Sequence, residues 1–297
     1  MMKLAYGLGM LDDMSLEEFE YAAKTVSEIG YDGLEPSVCS PATLDKEGIK
    51  TILDKYGLKL SGLRSGGLYD RRGARFSNPD KAERERAVSL MKEMIDLAGY
   101  FHCDVLFGRV QGWIPEGESI EQGKQYIAEC VKECTEYCAQ YGINFDYEPI
   151  NRYDMNYNHT TRETMAYVQE MNRDVSHKVM LLMDIYHSFL EDYQIGAAFV
   201  RSGELCGHVH FRDSNGGVPG TGIIDFKEVI CILEAMGYDK WIAFEVDAGF
   251  CDYKQGAIDT YNYIKPILEY AYNGRTLGIV KEQRDVLEIL DLVSEAL

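Results

Sequence analysis

The sequence predicts an α/β fold, a single-domain (β/α)8 TIM barrel with an extra C-terminal helical tail, and three observations carry that prediction. Eight short β-type runs alternate with amphipathic stretches from one end of the chain to the other, and an unbroken βα alternation calls for a parallel sheet. The 297 residues accommodate eight units of roughly 30 residues each with a remainder, the size a closed barrel needs. An open doubly wound sheet would place a Gly-rich GxGxxG turn after its first strand, and YGLGMLDDMS has none.

The first run, KLAYGLG (3–9), leads into SLEEFEYAAKTVSEIG, which opens on the capping box Ser15 and Glu18 and stops at Gly30. The second and third runs are DGLEPSV (32–38) and LKLSGLRS (58–65), followed by the helical PDKAERERAVSLMKEMIDLAG. DVLFGRV (104–110) precedes SIEQGKQYIAECVKECTEYCAQYG, and INFDYEP (143–149) precedes TRETMAYVQEMNR. The last three runs are VMLLMDIYH (179–187), GHVHFRD (207–213) and WIAFEV (241–246), with DFKEVICILEAMG and QGAIDTYNYIKPILEYAYNG as the closing helices. No Pro/Gly/Ser-rich linker breaks the series, so residues 1–274 form one barrel. Residues 275–297 place Val280, Val286, Leu287, Ile289, Leu290 and Val293 at helical spacing. That face is expected to pack on the barrel or on a second subunit of a homo-oligomer.

Composition excludes several classes of partner. A formal charge of −19, from 49 acidic and 30 basic residues, repels phosphate backbones and anionic headgroups, so neither nucleic acid nor membrane is expected. No apolar window is long enough to span a bilayer, and the amino terminus meets acidic residues too early for a secretory leader, which reads as cytoplasmic. Eight cysteines occur without CxxC spacing; Cys130, Cys134 and Cys138 fall on one helix face and read as reduced core thiols.

In such a barrel, reactive groups sit at the carboxyl ends of strands. Runs five to eight each carry an acid or an imidazole there: Glu148, Asp184, His210 and Glu245. Singly, each is as well explained as a solvated acid or a helix cap. Together at one mouth, three carboxylates repel unless a cation lies among them. Hard oxygen ligands with one imidazole suit Mn2+ first, or Mg2+ or Co2+. In HVH, residues two apart share a side of the strand, so His208 lies one layer below His210 and reads as a hydrogen-bonded core histidine. His102, His159 and His177 read as surface residues.

EPINRY from Glu148, the D-x-x-H of Asp184 to His187, HVHFRDSN around His210, PGTGIIDF (219–226) and AFEV with Glu245 together resemble the sugar isomerase/epimerase superfamily of xylose-isomerase-like barrels. Within it, the closest likeness is to ketose 3-epimerases of the tagatose/allulose type. The resemblance implies that Glu148, Asp184, His210 and Glu245 bind one divalent ion and that Glu148 and Glu245 exchange protons with a small sugar as the acid/base pair. It implies that His187 bonds a substrate oxygen. Two positions depart from the family. Asp154 stands where a substrate-binding glutamate is expected, and Gly216 replaces an arginine. Arg212, four residues earlier, shares the strand parity of His210 and is carried as a substrate contact, although a loop is free to turn it elsewhere. Glu35 at the end of run two and Trp113 in GRVQGWIPEG are further substrate-binding candidates, set against roles as a structural acid and in loop packing.

Three other functions remain open on the same residues. A metal-dependent lyase or dehydratase of an inosose or keto sugar, including the C-glycoside-cleaving kind, would use the same cage. A non-catalytic carbohydrate-binding barrel would tolerate loss of the acids. A multi-zinc endonuclease would need more histidine ligands and a basic groove, and the chain has six histidines and a negative field.

Overall fold

The computed structural model describes residues 1–173, 175–247 and 249–273. Its strands are β1 (Lys3–Met10), β2 (Gly33–Ser37), β3 (in two pieces, Lys59–Leu60 and Gly62–Arg64), β4 (Asp104–Phe107), β5 (Phe145–Tyr147), β6 (Met180–Asp184), β7 (Cys206–Phe211) and β8 (Trp241–Phe244). All pair in parallel with their sequence neighbours, and β1 pairs with both β2 and β8. The sheet closes into the eight-stranded TIM barrel that the alternation calls for. The expected tail, 275–297, lies outside the described residues.

The helices are α1 (Leu16–Ile29), α2 (Lys46–Tyr56), α3 (Gly66–Arg72), α4 (Lys81–Phe101), α5 (Ile120–Ala139), α6 (Thr161–Met171), α7 (Ile185–Glu191), α8 (Ile195–Ser202), α9 (Phe226–Ala235) and α10 (Tyr253–Tyr272). The capping box forms: Ser15 Oγ accepts from the Glu18 amide at 3.2 Å and Glu18 Oε2 from the Ser15 amide at 2.8 Å. Gly30 ends α1 at φ 115°, a conformation that favours glycine. Cys130, Cys134 and Cys138 are free and buried on α5, where burial pushes each thiol up. No helix among the described residues is long and apolar enough to cross a membrane.

Two apolar runs overshoot their strands. The run 104–110 leaves the sheet after Phe107 and turns through a short 3-10 segment at Arg109–Gln111. The run 179–187 ends at Asp184, whose side chain caps α7 by accepting from the amides of Tyr186 (2.6 Å) and His187 (3.4 Å). Hydrophobicity continues past both strand ends because the residues after them stay buried, so composition alone does not mark the stop. α2, α3, α7 and α8 are helices that the sequence reading did not name.

Side-chain alternation sorts the barrel into two environments. Outward residues pack under the helices: Phe107 stacks between Phe76 and Phe145, with centroids 5.0 and 4.9 Å away, and Phe211 meets Phe226 of α9 at 5.2 Å. Inward residues become polar toward the carboxyl ends, where His208 and His210 alternate with the outward Val209 and Phe211. Phe107 has no exposed surface and anchors that aromatic row. Phe107→Ala is therefore expected to cost about 3–5 kcal/mol, read by denaturant unfolding of the metal-free protein. A loss below 1 kcal/mol would show that the row carries little of the fold's stability.

Candidate metal centre

The barrel brings the four strand-end candidates together. Glu148 follows β5, Asp184 ends β6, His210 lies one residue from the end of β7, and Glu245 follows β8. Asp184 pairs opposite His210, and the amides of Glu148 and Glu245 bond the carbonyls of Phe107 and Phe211 at 3.1 Å each. One potential ligand atom from each of the four lies within 4.8 Å of all the others.

Each side chain is set by its neighbours. Asp184 uses Oδ1 to cap α7, which leaves Oδ2 with no hydrogen-bond partner. Glu148 lies against Gly108, where a Cβ would sit 2.4 Å from its Oε2. Its carbonyl accepts from Gln111 Nε2 at 2.8 Å. Arg64 Nη1 donates to Glu245 Oε1 at 2.5 Å. His210 stands between two carboxylates, with Nε2 2.7 Å from Glu35 Oε1 and Nδ1 3.1 Å from Glu245 Oε2.

Electrostatics separate the two glutamates. Burial, with the adjacent Asp184 carboxylate, pushes Glu148 up to about 8. Burial also acts to raise Glu245, but the Arg64 guanidinium and His210 outweigh it and hold the carboxyl well below the usual range. Despite its burial, His210 is pushed well above an ordinary imidazole by Glu35 and Glu245.

The donor set fits a hard divalent ion. Asp184 Oδ2 and His210 Nδ1 are buried with no aligned hydrogen-bond partner. Orphaned atoms converging among carboxylates are what a bound cation relieves. Glu35 stands behind the imidazole in the carboxylate–histidine arrangement that orients metal-binding rings.

The remaining candidates fall in different places. His187 is buried at the rim, with Nε2 3.5 Å from Glu148 Oε1 and 3.8 Å from Asp184 Oδ2. Asn151 Nδ2 donates to its Nδ1 at 2.7 Å, and burial lowers its pKa, so the neutral ring presents Nε2–H toward the cage. Asp154 is exposed and touches this group only through Asn151, at 3.3 Å. Glu35 has no exposed surface: it binds His208 Nε2 at 2.7 Å and accepts from Ser61 Oγ at 2.8 Å, the surroundings of a structural acid. Trp113 is 43% exposed and lines none of the cavity beside the cage. His102 is exposed as expected, whereas His159 and His177 are half-buried with ring nitrogens against the carbonyls of Ile150 and Ile143.

Arg212 bonds Asp247 Oδ1 at 2.6 Å, lies 4.3 Å over the Tyr186 ring and reaches to 3.9 Å from Asp184 Oδ2. Gly216 explains this placement. A Cβ there would come 2.0 Å from Asp247 Oδ2, so the glycine opens the space for the aspartate that holds Arg212. Arg64, Gly108 and Asp247 went unread in the sequence. Arg64 ends a strand within LKLSGLRS, a polar interruption of the same kind as the other four, but a basic one.

Gly108 sets the position of Glu148 by having no side chain. Gly108→Ala is expected to weaken Mn2+ binding by about tenfold or more, the scale seen when support around a ligand is lost, with far-UV circular dichroism unchanged. Equal affinity in an isothermal titration would show that the carboxylate has room to spare.

Residues 23–266 match the family model described as xylose isomerase-like TIM barrel. The chain is 28% identical over 251 residues to an L-ribulose 3-epimerase of Methylomonas sp., covering 82% of this chain and 84% of the relative. It is 26% identical over 242 residues to a ketose 3-epimerase of Arthrobacter globiformis, with 81% of each covered. The apo structure of a 3-keto-D-glucoside 4-epimerase from E. coli superimposes with a TM-score of 0.75 at 20% identity, over 90% of this chain and all of that one. The chain belongs to the xylose isomerase-like TIM barrel family.

Proposed function

We propose that the protein is a divalent-metal-dependent epimerase or isomerase of a small keto sugar, and that it moves a proton on the carbon next to the carbonyl. The observation that carries this reading is the cage itself: two glutamates, three strands apart around the ring, face one cavity with opposed proton affinities. Glu148, Asp184, His210 and Glu245 would hold the ion, Mn2+ in preference to Mg2+ or Co2+. When bound, the ion supplies a Lewis acid for the charge that develops on the substrate oxygens. The named relatives are sugar epimerases acting at carbon 3 or carbon 4, which supports this reaction type.

Glu245, kept ionised by Arg64, removes the proton. Glu148 delivers one to the other face of the carbon, which inverts the centre. Two carboxyls with pKa values driven apart are the general arrangement for such a pair. His187 Nε2–H holds a substrate oxygen beside the cage, and Arg212, fixed by Asp247, orients the sugar in place of an arginine at 216. Asp154 acts only through Asn151.

Metal-loaded protein incubated in deuterated water with ketoses, inososes and 3-keto glycosides tests the reading. Deuterium should appear in recovered sugar of unchanged composition, and Glu148→Gln and Glu245→Gln should each lower its rate by about 10^2–10^4-fold. No exchange with any of them, together with no Mn2+ uptake, would sink the proposal. A second reading, elimination from a keto-glycoside, is favoured by a 400 Å3 trough that shares Arg64 and Glu245 and extends past Tyr6 and Cys251, leaving room for an aglycone. It predicts loss of water or of the aglycone, which mass spectrometry separates from epimerisation.

The raised Glu148 also sets a pH dependence. A carboxyl whose folded pKa is raised binds its proton more tightly in the native state, so its contribution to stability falls as pH rises from about 4.5 to about 8. A bound cation reverses this, because it requires the carboxylate. The stabilisation by Mn2+, read as the Tm difference between loaded and metal-free protein, should therefore grow between pH 6 and pH 8, with proton release on binding. A difference that is flat in pH would mean that Glu148 is already ionised.

A further inference from the structure

We propose that the cavity beside the cage receives a sugar bearing an oxyanion, a carboxylate or a phosphate ester, and that Arg64 and Arg109 select it. The proposal rests on the epimerase reading and specifies its substrate class.

The cavity measures 170 Å3, and its two walls differ in chemistry. One is the cage. The other is formed by Arg64 and Arg109 with Ser37 and Ser65. Two guanidiniums on one small cavity run against the composition of a chain whose net charge is −19. Guanidinium groups only donate, and the Ser37 hydroxyl beside them is able to donate as well, whereas that of Ser65 already donates to the Leu106 carbonyl at 2.9 Å. The hydroxyls of a neutral sugar need acceptors as much as donors, whereas a carboxylate or phosphate only accepts. A wall of donors matches the latter, and arginine forks suit its planar or tetrahedral oxygens.

The two arginines are held to different degrees. Arg109 pairs with Asp70, but their side chains are 44% and 41% exposed, and an exposed ion pair of this kind holds weakly. Arg64 gives Nη2 to the backbone carbonyls of Leu8 and Glu35 and Nη1 to Glu245, while its buried Nε has no hydrogen-bond partner. Glu245 is itself one of the four cage residues, so a cation held there competes with Arg64 for its charge. Arg64 then has Nη1 free for the cavity that it lines with Arg109, while its Nε stays 3.8 Å from Glu35 Oε1.

The test measures binding to the Mn2+-loaded full-length protein by isothermal titration with three probes: D-fructose, D-fructose 6-phosphate and 5-keto-D-gluconate. Deuterium exchange is followed in the same mixtures. At least one anionic probe should bind about ten- to a hundredfold more tightly than D-fructose, the range expected for charge-assisted hydrogen bonds. The stronger of the two identifies phosphate or carboxylate. Added salt should reduce the preference. Arg109→Gln, at an exposed position that leaves the fold intact, should lower the ratio of anionic to neutral affinity about tenfold. Arg64→Lys, which keeps the charge but loses the fork, should lower it less than Arg64→Gln.

D-fructose binding as tightly as both anionic probes, or a preference unchanged in Arg109→Gln and Arg64→Gln, would overturn the proposal. The two levels fail separately. Exchange into D-fructose without an anionic preference removes this inference and leaves the epimerase reading. A preference lost in the arginine variants, with no exchange into any sugar, removes the epimerase reading and leaves the oxyanion site.

Discussion

The mouth of this barrel depends on one buried carboxylate, Glu35, shared by two histidines. It has no exposed surface and lies 2.7 Å from both His208 Nε2 and His210 Nε2. A carboxylate this deep is stable only if it is paired and hydrogen-bonded. His208, His210 and the Ser61 hydroxyl meet that demand. In doing so they hold the His210 ring so that its Nδ1 turns toward Glu245 and the cage. Glu35 therefore fixes which nitrogen is available at the centre while lying outside the cavity itself.

Above that pair the structure concentrates charge to a degree that a core tolerates only at a site. Glu148, Asp184 and Glu245 converge within a few ångströms, and Arg64 and Arg212 enter from strands on opposite sides to offset them. The asymmetry between the glutamates follows from where those arginines reach. Arg64 bonds Glu245 directly, while among the described residues Glu148 has only a neutral histidine within ion-pair distance and a second carboxylate beside it. Two chemically identical carboxyls acquire opposed proton affinities through placement alone.

Much of the architecture was legible in the chain. Period-2 runs alternating with capped amphipathic helices required parallel pairing, and Ser15, Glu18 and Gly30 marked one helix at both ends. Strand ends were less legible where apolar residues continued beyond them, as after Phe107 and Asp184. Asp184 shows why: one side chain both caps α7 and faces the cage, and a sequence shows only that an aspartate is present. The four converging residues were legible because acids and an imidazole interrupt apolar strands at equivalent places. Glu35 showed the same interruption, yet it faces inward beneath the mouth, since depth along a barrel strand depends on register and stagger.

The sequence by itself determined the barrel, the strand-end residues that converge and the hard-ligand character of their donors, because periodicity and residue type are local properties. Only the tertiary structure decided that Arg64 bonds Glu245, that Gly216 makes room for Asp247 to hold Arg212, and that Gly108 admits the Glu148 carboxylate. Each of these joins residues brought together by strand pairing and barrel curvature, over separations in sequence from 31 to 181 residues. The proton affinities follow the same division. They arise from burial and from charges on neighbouring strands, and neither exists until the sheet has closed.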